Sequence, residues 1–241
     1  MNKLEKRVGE AIKLFWTTRD KQSESQGTDS GKKDAGLRAA VTGGKHLDGF
    51  TEICRDLFVK NGVPEAHVYW NQKRELPGYY RAEKNWDLIV VANGRLLAVI
   101  EFKAQVGPSF GNNINNRVEE AVGNATDLWA AFREGAFEPS ERPWLGYVFI
   151  LEDCDGSNRP IETRGPHFPV FPEFKSASYA KRYEIFLTKL LRERLYDGAC
   201  LLLTNRADGL KGKFRSPTKE IQFTTFAAGL AARAITFSKL H

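Results

Sequence analysis

The chain has 241 residues, of which 41% are hydrophobic and 12% aromatic; that is enough to build a core and excludes wholesale disorder. Lys and Arg number 36 against 30 Asp and Glu, a formal charge of +6 that permits a polyanionic partner such as DNA without requiring one. Cys54, Cys154 and Cys200 are odd in number and form no C-x-x-C pair, which argues against a zinc site and for reduced thiols packed as small apolar residues.

The N-terminus, Met-Asn-Lys-Leu-Glu-Lys-Arg, leads into an amphipathic pattern rather than a signal-peptide core, and no run reaches the roughly 18 apolar residues of a membrane helix. The expected address is therefore the cytoplasm. Val8, Ala11, Ile12, Phe15 and Trp16 stand at helical spacing, predicting an amphipathic helix over 3–20. Residues 21–45 turn polar and read as a long loop. A second helix is predicted over about 47–61, with Phe50, Ile53, Leu57 and Phe58 on one face and Asn61-Gly62 as its stop. Ala66 to Trp70 reads as a short strand, and Leu76-Pro77-Gly78-Tyr79-Tyr80 as a turn with Pro and Gly in type II positions.

Two apolar runs follow, Trp86 to Ala92 and Arg95 to Lys103, joined by Asn93-Gly94, the strongest short-range hairpin signal. Beyond them Gly107-Pro108 ends the strand, and an Asn-rich entry leads to a helix near 114–134. Trp144 to Leu151 reads as a buried strand, 152–175 as a Pro- and Phe-rich excursion without period, 178–196 as a helix and Ala199 to Thr204 as a strand. A basic loop (Lys211, Lys213, Arg215, Lys219) and a small-residue-rich helix near 223–238 complete the chain, and there are no internal repeats. This order predicts an α/β fold, a mixed central sheet flanked by helices. The expected organisation is a single domain over 1–241, divided into an N-terminal helix and polar loop (1–46), a core of about 47–205 and a C-terminal basic loop and helix (206–241).

The polar residues of the hairpin gather at its open end. Asp87 on one strand meets Glu101 and Lys103 on the other, and residues two apart on a strand share a face. Two hard carboxylate ligands suit Mg²⁺, and a neighbouring lysine can position a water or stabilise charge on a phosphate, which is a nuclease-like arrangement. Parity imposes a condition. A two-residue Asn93-Gly94 loop pairs 92 with 95 and sends Asp87 to the opposite face from Glu101. Either a three-residue loop or a bulge within 88–100 is therefore required. The competing reading is an ordinary buried hairpin whose charges mark strand ends, with Glu101 and Lys103 forming a weak surface pair.

The three residues match the PD-(D/E)xK nuclease motif, with Trp86 in place of its proline. Longer segments are more specific: Glu75 to Ala82 (ELPGYYRA), Trp86-Asp87-Leu88, Glu101-Phe102-Lys103, Gln105 to Asn113 (QVGPSFGNN) and Ala125 to Trp129 (ATDLW), together with Ala40 to Lys45 (AVTGGK) and His167 to Phe174 (HFPVFPEF). In this order they resemble the XhoI family of type II restriction endonucleases over nearly the whole chain. The resemblance implies a restriction-endonuclease-like core and a Mg²⁺-dependent homodimer. It further implies double-strand cutting of the palindrome CTCGAG after the first C, leaving 5′ overhangs and 5′-phosphate ends, with a cognate DNA methyltransferase in the same cell. Asp87 and Glu101 would then hold the metal with the Phe102 carbonyl. Glu52 is a further candidate ligand; its alternative is a solvated helix glutamate.

A palindromic target calls for two-fold symmetry, with Arg or Lys reading guanine and Asn or Gln reading adenine. Asn112, Asn113, Asn115, Asn116 and Arg117 are the leading candidates, because they follow the catalytic strand and open a helix whose N-terminus attracts phosphate. The alternative is that asparagines here cap the helix. Gly43, Gly44 and Lys45 would allow close approach to a phosphate, Arg81 and Lys84 lie within reach of the site, and Lys211, Lys213 and Arg215 are candidate backbone contacts. His167 reads as a packed structural histidine, and Trp129 with Phe132 as core rather than a base-stacking platform.

Overall fold

The structure, a computed structural model, describes residues 3–27 and 45–240. Seven helices and seven strands are described in chain order: α1 (Lys3–Gly27), α2 (Asp48–Lys60), β1 (Val68–Tyr69), β2 (Glu75–Pro77), β3 (Glu83–Asn85), β4 (Leu88–Ala92), β5 (Arg95–Gln105), α3 (Phe110–Arg133), β6 (Trp144–Glu152), α4 (Asp155–Asn158), α5 (Tyr179–Arg192), β7 (Gly198–Thr204), α6 (Arg206–Gly209) and α7 (Phe223–Leu240). The main sheet has five strands in the order β1-β4-β5-β6-β7. β4 runs antiparallel to both β1 and β5, whereas β5, β6 and β7 are mutually parallel. This is the expected mixed sheet of a restriction-endonuclease-like fold.

Strand alternation divides the core into two layers. Leu88, Val90, Ile100, Phe102, Val148, Ile150, Cys200 and Leu202 face α1, α2 and α7, meeting Phe15, Phe50, Phe58, Phe226 and Leu230. Ile89, Val99, Tyr147, Phe149, Leu151, Leu201 and Leu203 face α3 and α5, meeting Ala121, Leu128, Tyr183 and Leu187. Buried on both sides, β6 and β7 are continuous apolar runs, as parallel strands require. All three cysteines are free; Cys54 and Cys200 pack in the first layer as small apolar residues and Cys154 is half-buried. Among the described residues no helix is long and apolar enough to cross a membrane.

Several boundaries depart from the sequence expectation. α1 does not stop at 20 but runs to Gly27. Lys, Gln and Glu are good helix formers, and a helix satisfies its own backbone whether or not an apolar stripe continues. Of the expected loop, 28–44 lies outside the described residues, Gly43 and Gly44 included. The strand expected at 66–70 is a 3-10 turn (Glu65–His67) followed by a two-residue edge strand, the His67 ring nitrogen Nδ1 lying 3.0 Å from the Val91 carbonyl oxygen. The turn at 76–80 is part of a larger feature, the antiparallel β2–β3 arm, and Gly78 lacks the positive φ of a type II turn.

His46 is buried (4% exposed) in the turn after the undescribed segment, with its ring 5.4 Å from Phe15. Burial, reinforced by the Arg19 charge, lowers its pKa to about 4. The folded protein therefore holds a neutral imidazole where the unfolded chain, near the ordinary value of about 6.5, takes up a proton. This penalty is absent above about pH 6.5 and grows as pH falls towards 4, where it reaches about 3 kcal/mol. Chemical denaturation across pH 4–7 is expected to show that loss, and a His46→Gln variant a flatter profile. Parallel profiles would mean that His46 does not set the acid limit.

Candidate active site

The β4–β5 hairpin resolves the parity condition. Ala92 pairs with Arg95 and Val91 with Leu96 across a two-residue loop in which Asn93 (φ 52°) and Gly94 (φ 71°) are both left-handed. The register then slips: Val90 pairs with Ala98, Ile89 with Val99 and Leu88 with Ile100. Leu97 is the extra residue, so Leu97 and Ala98 both point into the α1/α2/α7 layer while Leu96 and Val99 flank them on the other face. This is the expected bulge. The same register continued by one residue sets Asp87 opposite Glu101, and the Phe102 amide donates to Asp87 Oδ2 at 2.7 Å.

Asp87, Glu101 and Lys103 therefore share the face that carries α3 and α5. Glu101 is 3% exposed, and two ammonium groups hold its carboxylate: Lys103 Nζ donates to Oε1 at 2.5 Å and Lys84 Nζ to Oε2 at 3.1 Å. Lys84 reaches in from β3, its charge 4.2 Å from the centre of the Trp86 ring. Burial, together with the nearby Glu101 carboxylate, raises the Asp87 pKa to about 6 against the pull of Lys103, the Phe102 amide and Lys84. At Lys103 burial alone would lower the pKa, but Glu101 and Asp87 outweigh it, so the ammonium is held above its ordinary range.

This arrangement fits a hard divalent cation. The donors are carboxylate oxygens on one face, and the Asp87 pKa is raised first by burial and then by the Glu101 carboxylate, both of which a bound cation would offset. In a strand the N–H and C=O of one residue leave the same edge, so the Phe102 carbonyl lies on the edge from which its amide bonds Asp87. Among the described residues no group of three or more His, Cys, Asp and Glu gathers as a metal site; Asp87, Glu101 and that carbonyl are the groups that would hold a cation here. Glu52 is exposed on α2, and the carboxylate that feels its charge is Asp48.

The other predicted residues divide. Helix α3 begins at Phe110 rather than 114, so Asn112 to Arg117 occupy its first two turns. Asn112, Asn115 and Asn116 are exposed at i, i+3, i+4 spacing, one face of the helix. Ser109, not an asparagine, occupies the N-cap position, and its side chain makes no capping hydrogen bond; Asn113 donates to the Ser109 carbonyl at 2.6 Å. Arg117 pairs with Glu120 at 2.5 Å and is close enough to oppose the charge of Lys103. Arg81 Nε pairs with Asp127 at 2.9 Å. In the basic loop Lys211 is exposed, Lys213 lies 3.5 Å from Asp208, and Arg215 forms a two-pronged pair with Asp153 at 2.7 and 3.0 Å. Lys45 is exposed.

His167 is exposed, contrary to its expected packing, as is Phe168 at 83%. The segment around it carries no helical or strand period that would turn one face to the core. Trp129 is buried, as expected, and its indole donates to the Leu195 carbonyl at 2.8 Å. Lys84 was expected within reach of the site, but its bond to Glu101 depends on the unforeseen β2–β3 arm. Asp127, 3% exposed on α3 and accepting the Tyr79 amide of that arm, was not legible beforehand.

A family model described as restriction endonuclease XhoI matches residues 26–216. The chain is 50% identical over 213 residues to the type II restriction enzyme BstVI of Geobacillus stearothermophilus, covering 86% of this chain and 95% of that one. It is 44% identical to the type II restriction enzyme XhoI of Xanthomonas vasicola (75% of this chain, 72% of that one) and 46% identical to AbrI of Azospirillum brasilense (68% and 73%). No solved structure matches significantly. The family model over most of the chain and relatives 44–50% identical make this protein a member of the XhoI family of restriction endonucleases, a type II site-specific deoxyribonuclease.

Proposed function

We propose that Asp87, Glu101 and Lys103 form the catalytic centre of this enzyme. It acts as a cytoplasmic homodimer that cuts both strands of CTCGAG after the first C, in a cell protected by a cognate methyltransferase. The observation that carries the reading is the Leu97 bulge, which turns the three side chains to one face. Mg²⁺, held by Asp87, Glu101 and the Phe102 carbonyl, with Glu52 a further candidate, would activate a water and neutralise charge on the phosphate. Lys103, kept protonated by the two carboxylates, serves as a donor that orients the attacking water and steadies the developing negative charge, not as a base. In-line attack breaks the P–O3′ bond, leaving 5′-phosphate and 3′-hydroxyl ends. Lys84, already at Glu101, is placed to reach the scissile strand when Glu101 takes up the cation.

Sequence readout falls to the exposed Asn112, Asn115 and Asn116 face, with Asn113 and Arg117 beside it; Lys45 is a phosphate candidate, Arg81 a candidate contact to the scissile strand, and Lys211, Lys213 and Arg215 are backbone candidates. Gly43 and Gly44 remain candidates by sequence. Incubation with plasmid DNA and Mg²⁺ is expected to yield discrete fragments whose ends carry a 5′-TCGA overhang, and EDTA to stop the reaction. Discrete ends at a different sequence would overturn the specificity, and undiminished cutting in EDTA the metal requirement.

A further inference from the structure

The tip of the β2–β3 arm is built to hold two tyrosines out in solvent. Tyr79 and Tyr80 are 54% and 71% exposed, with rings edge to face at 4.9 Å. Exposed side by side, such rings cost solvation unless a partner covers them. Their backbone, by contrast, is fixed. The buried Asp127 carboxylate accepts the Tyr79 amide at 2.8 Å and the Tyr80 amide at 2.7 Å through Oδ1, and Arg81 Nε at 2.9 Å through Oδ2. Gly78 is part of the same device, since a Cβ there would lie 2.6 Å from Asp127 Oδ2 and 2.8 Å from the Arg81 carbonyl oxygen. A buried carboxylate with three donors is a large investment for a surface turn, and it orders a segment whose side chains touch little of the protein.

The arm also ends at the catalytic face. Lys84, four residues from Tyr80, bonds Glu101. At about 3.3 Å per residue the tip stands within roughly 13 Å of that lysine, a span of about four base pairs. A duplex with its scissile phosphate at Asp87 and Glu101 and its axis along the arm would extend past the tip.

We propose that Tyr79 and Tyr80 form a DNA-contacting subsite, in which the rings pack on the bases or sugars beside the cut and the hydroxyls reach phosphate, and that Asp127 is the residue that positions them. Aromatic faces suit this ligand because every base offers a π-face, and a pre-ordered tip binds without the cost of immobilising a loop. The inference rests on the active-site reading only for where the duplex lies.

The test measures duplex binding by fluorescence anisotropy with Ca²⁺ in place of Mg²⁺, alongside single-turnover cleavage. The double variant Tyr79→Ala/Tyr80→Ala, at exposed positions, is expected to keep the wild-type melting curve and to bind duplex about ten- to a hundredfold more weakly. Single-turnover cleavage at saturating enzyme should stay within a few-fold of wild type. Tyr79→Phe/Tyr80→Phe separates the two contacts: an intermediate loss assigns part of the binding to the hydroxyls, and no loss assigns it to the rings. Asp127→Ala should speed amide exchange at Tyr79 and Tyr80 and reproduce the binding defect; Asp127→Asn, which keeps an acceptor for the two amides, should recover part of it. Unchanged affinity in the double alanine variant overturns the subsite. Unchanged affinity in a folded Asp127→Ala variant with accelerated exchange overturns the positioning role. Either failure would leave wild-type cleavage, and hence the catalytic assignment, standing.

Discussion

Glu101→Ala is expected to lower the cleavage rate about a hundred- to a thousandfold, the scale on which removal of a preorganised electrostatic group acts, while leaving a folded protein. Glu101 is the centre of the charge network: both lysines donate to it, and its proximity helps raise the Asp87 pKa. Its loss takes away one of two carboxylate donors and the acceptor that aligns Lys103. Folding survives because Asp87 already attracts Lys103 and its like-charge neighbour is gone. Single-turnover cleavage of plasmid, with thermal melting as the control, decides the matter. A folded variant that cuts within tenfold of wild type would remove Glu101 from the mechanism.

Deleting Leu97 is expected to have a larger structural consequence than truncating it. Leu97→Ala removes a buried side chain (1% exposed) but keeps the extra residue; it should cost about 2–5 kcal/mol and retain Mg²⁺-dependent cutting at low temperature. Deletion of the residue restores the plain two-residue register and turns every later side chain of β5 over. Glu101 and Lys103 would enter the α1/α2/α7 layer, and Ile100 and Phe102 would leave it. Burying those charges is comparable with the roughly 5–15 kcal/mol total stability of a domain, so the shortened chain should fail to fold. A soluble, cleaving deletion variant would mean that the bulge does not set the site's geometry. Denaturant titration of both variants measures the contrast.

The long periodic elements were legible in the sequence because apolar spacing alone specifies them. Val8, Ala11, Ile12, Phe15 and Trp16 are buried on α1 as their period demands, and the unbroken runs of β6 and β7 are strands covered on both faces. Errors gathered where polar residues decide. The extension of α1 to Gly27 carries no apolar stripe to announce it, and the Asn-rich entry to α3 is already helix from Phe110 on. The β2–β3 arm escaped notice because strands of three residues have too few positions to display a period.

By itself the sequence determined the hairpin, the residue types at its open end and, through parity, the need for one extra residue, because the side-chain period of a strand is a fixed two. It also carried the likeness to the XhoI family. Only the tertiary structure decided that the extra residue is Leu97, that Lys84 crosses from β3 to share Glu101 with Lys103, and that Asp127 holds Tyr79 and Tyr80 at the surface. A bulge can sit at any of several positions in a hairpin at similar local cost, and packing of Leu97 and Ala98 into one layer selects among them. The two ion-pair contacts join residues 17 and 46 or more positions apart, beyond any local pattern, and form only when the arm folds down over α3 and the open end of the hairpin.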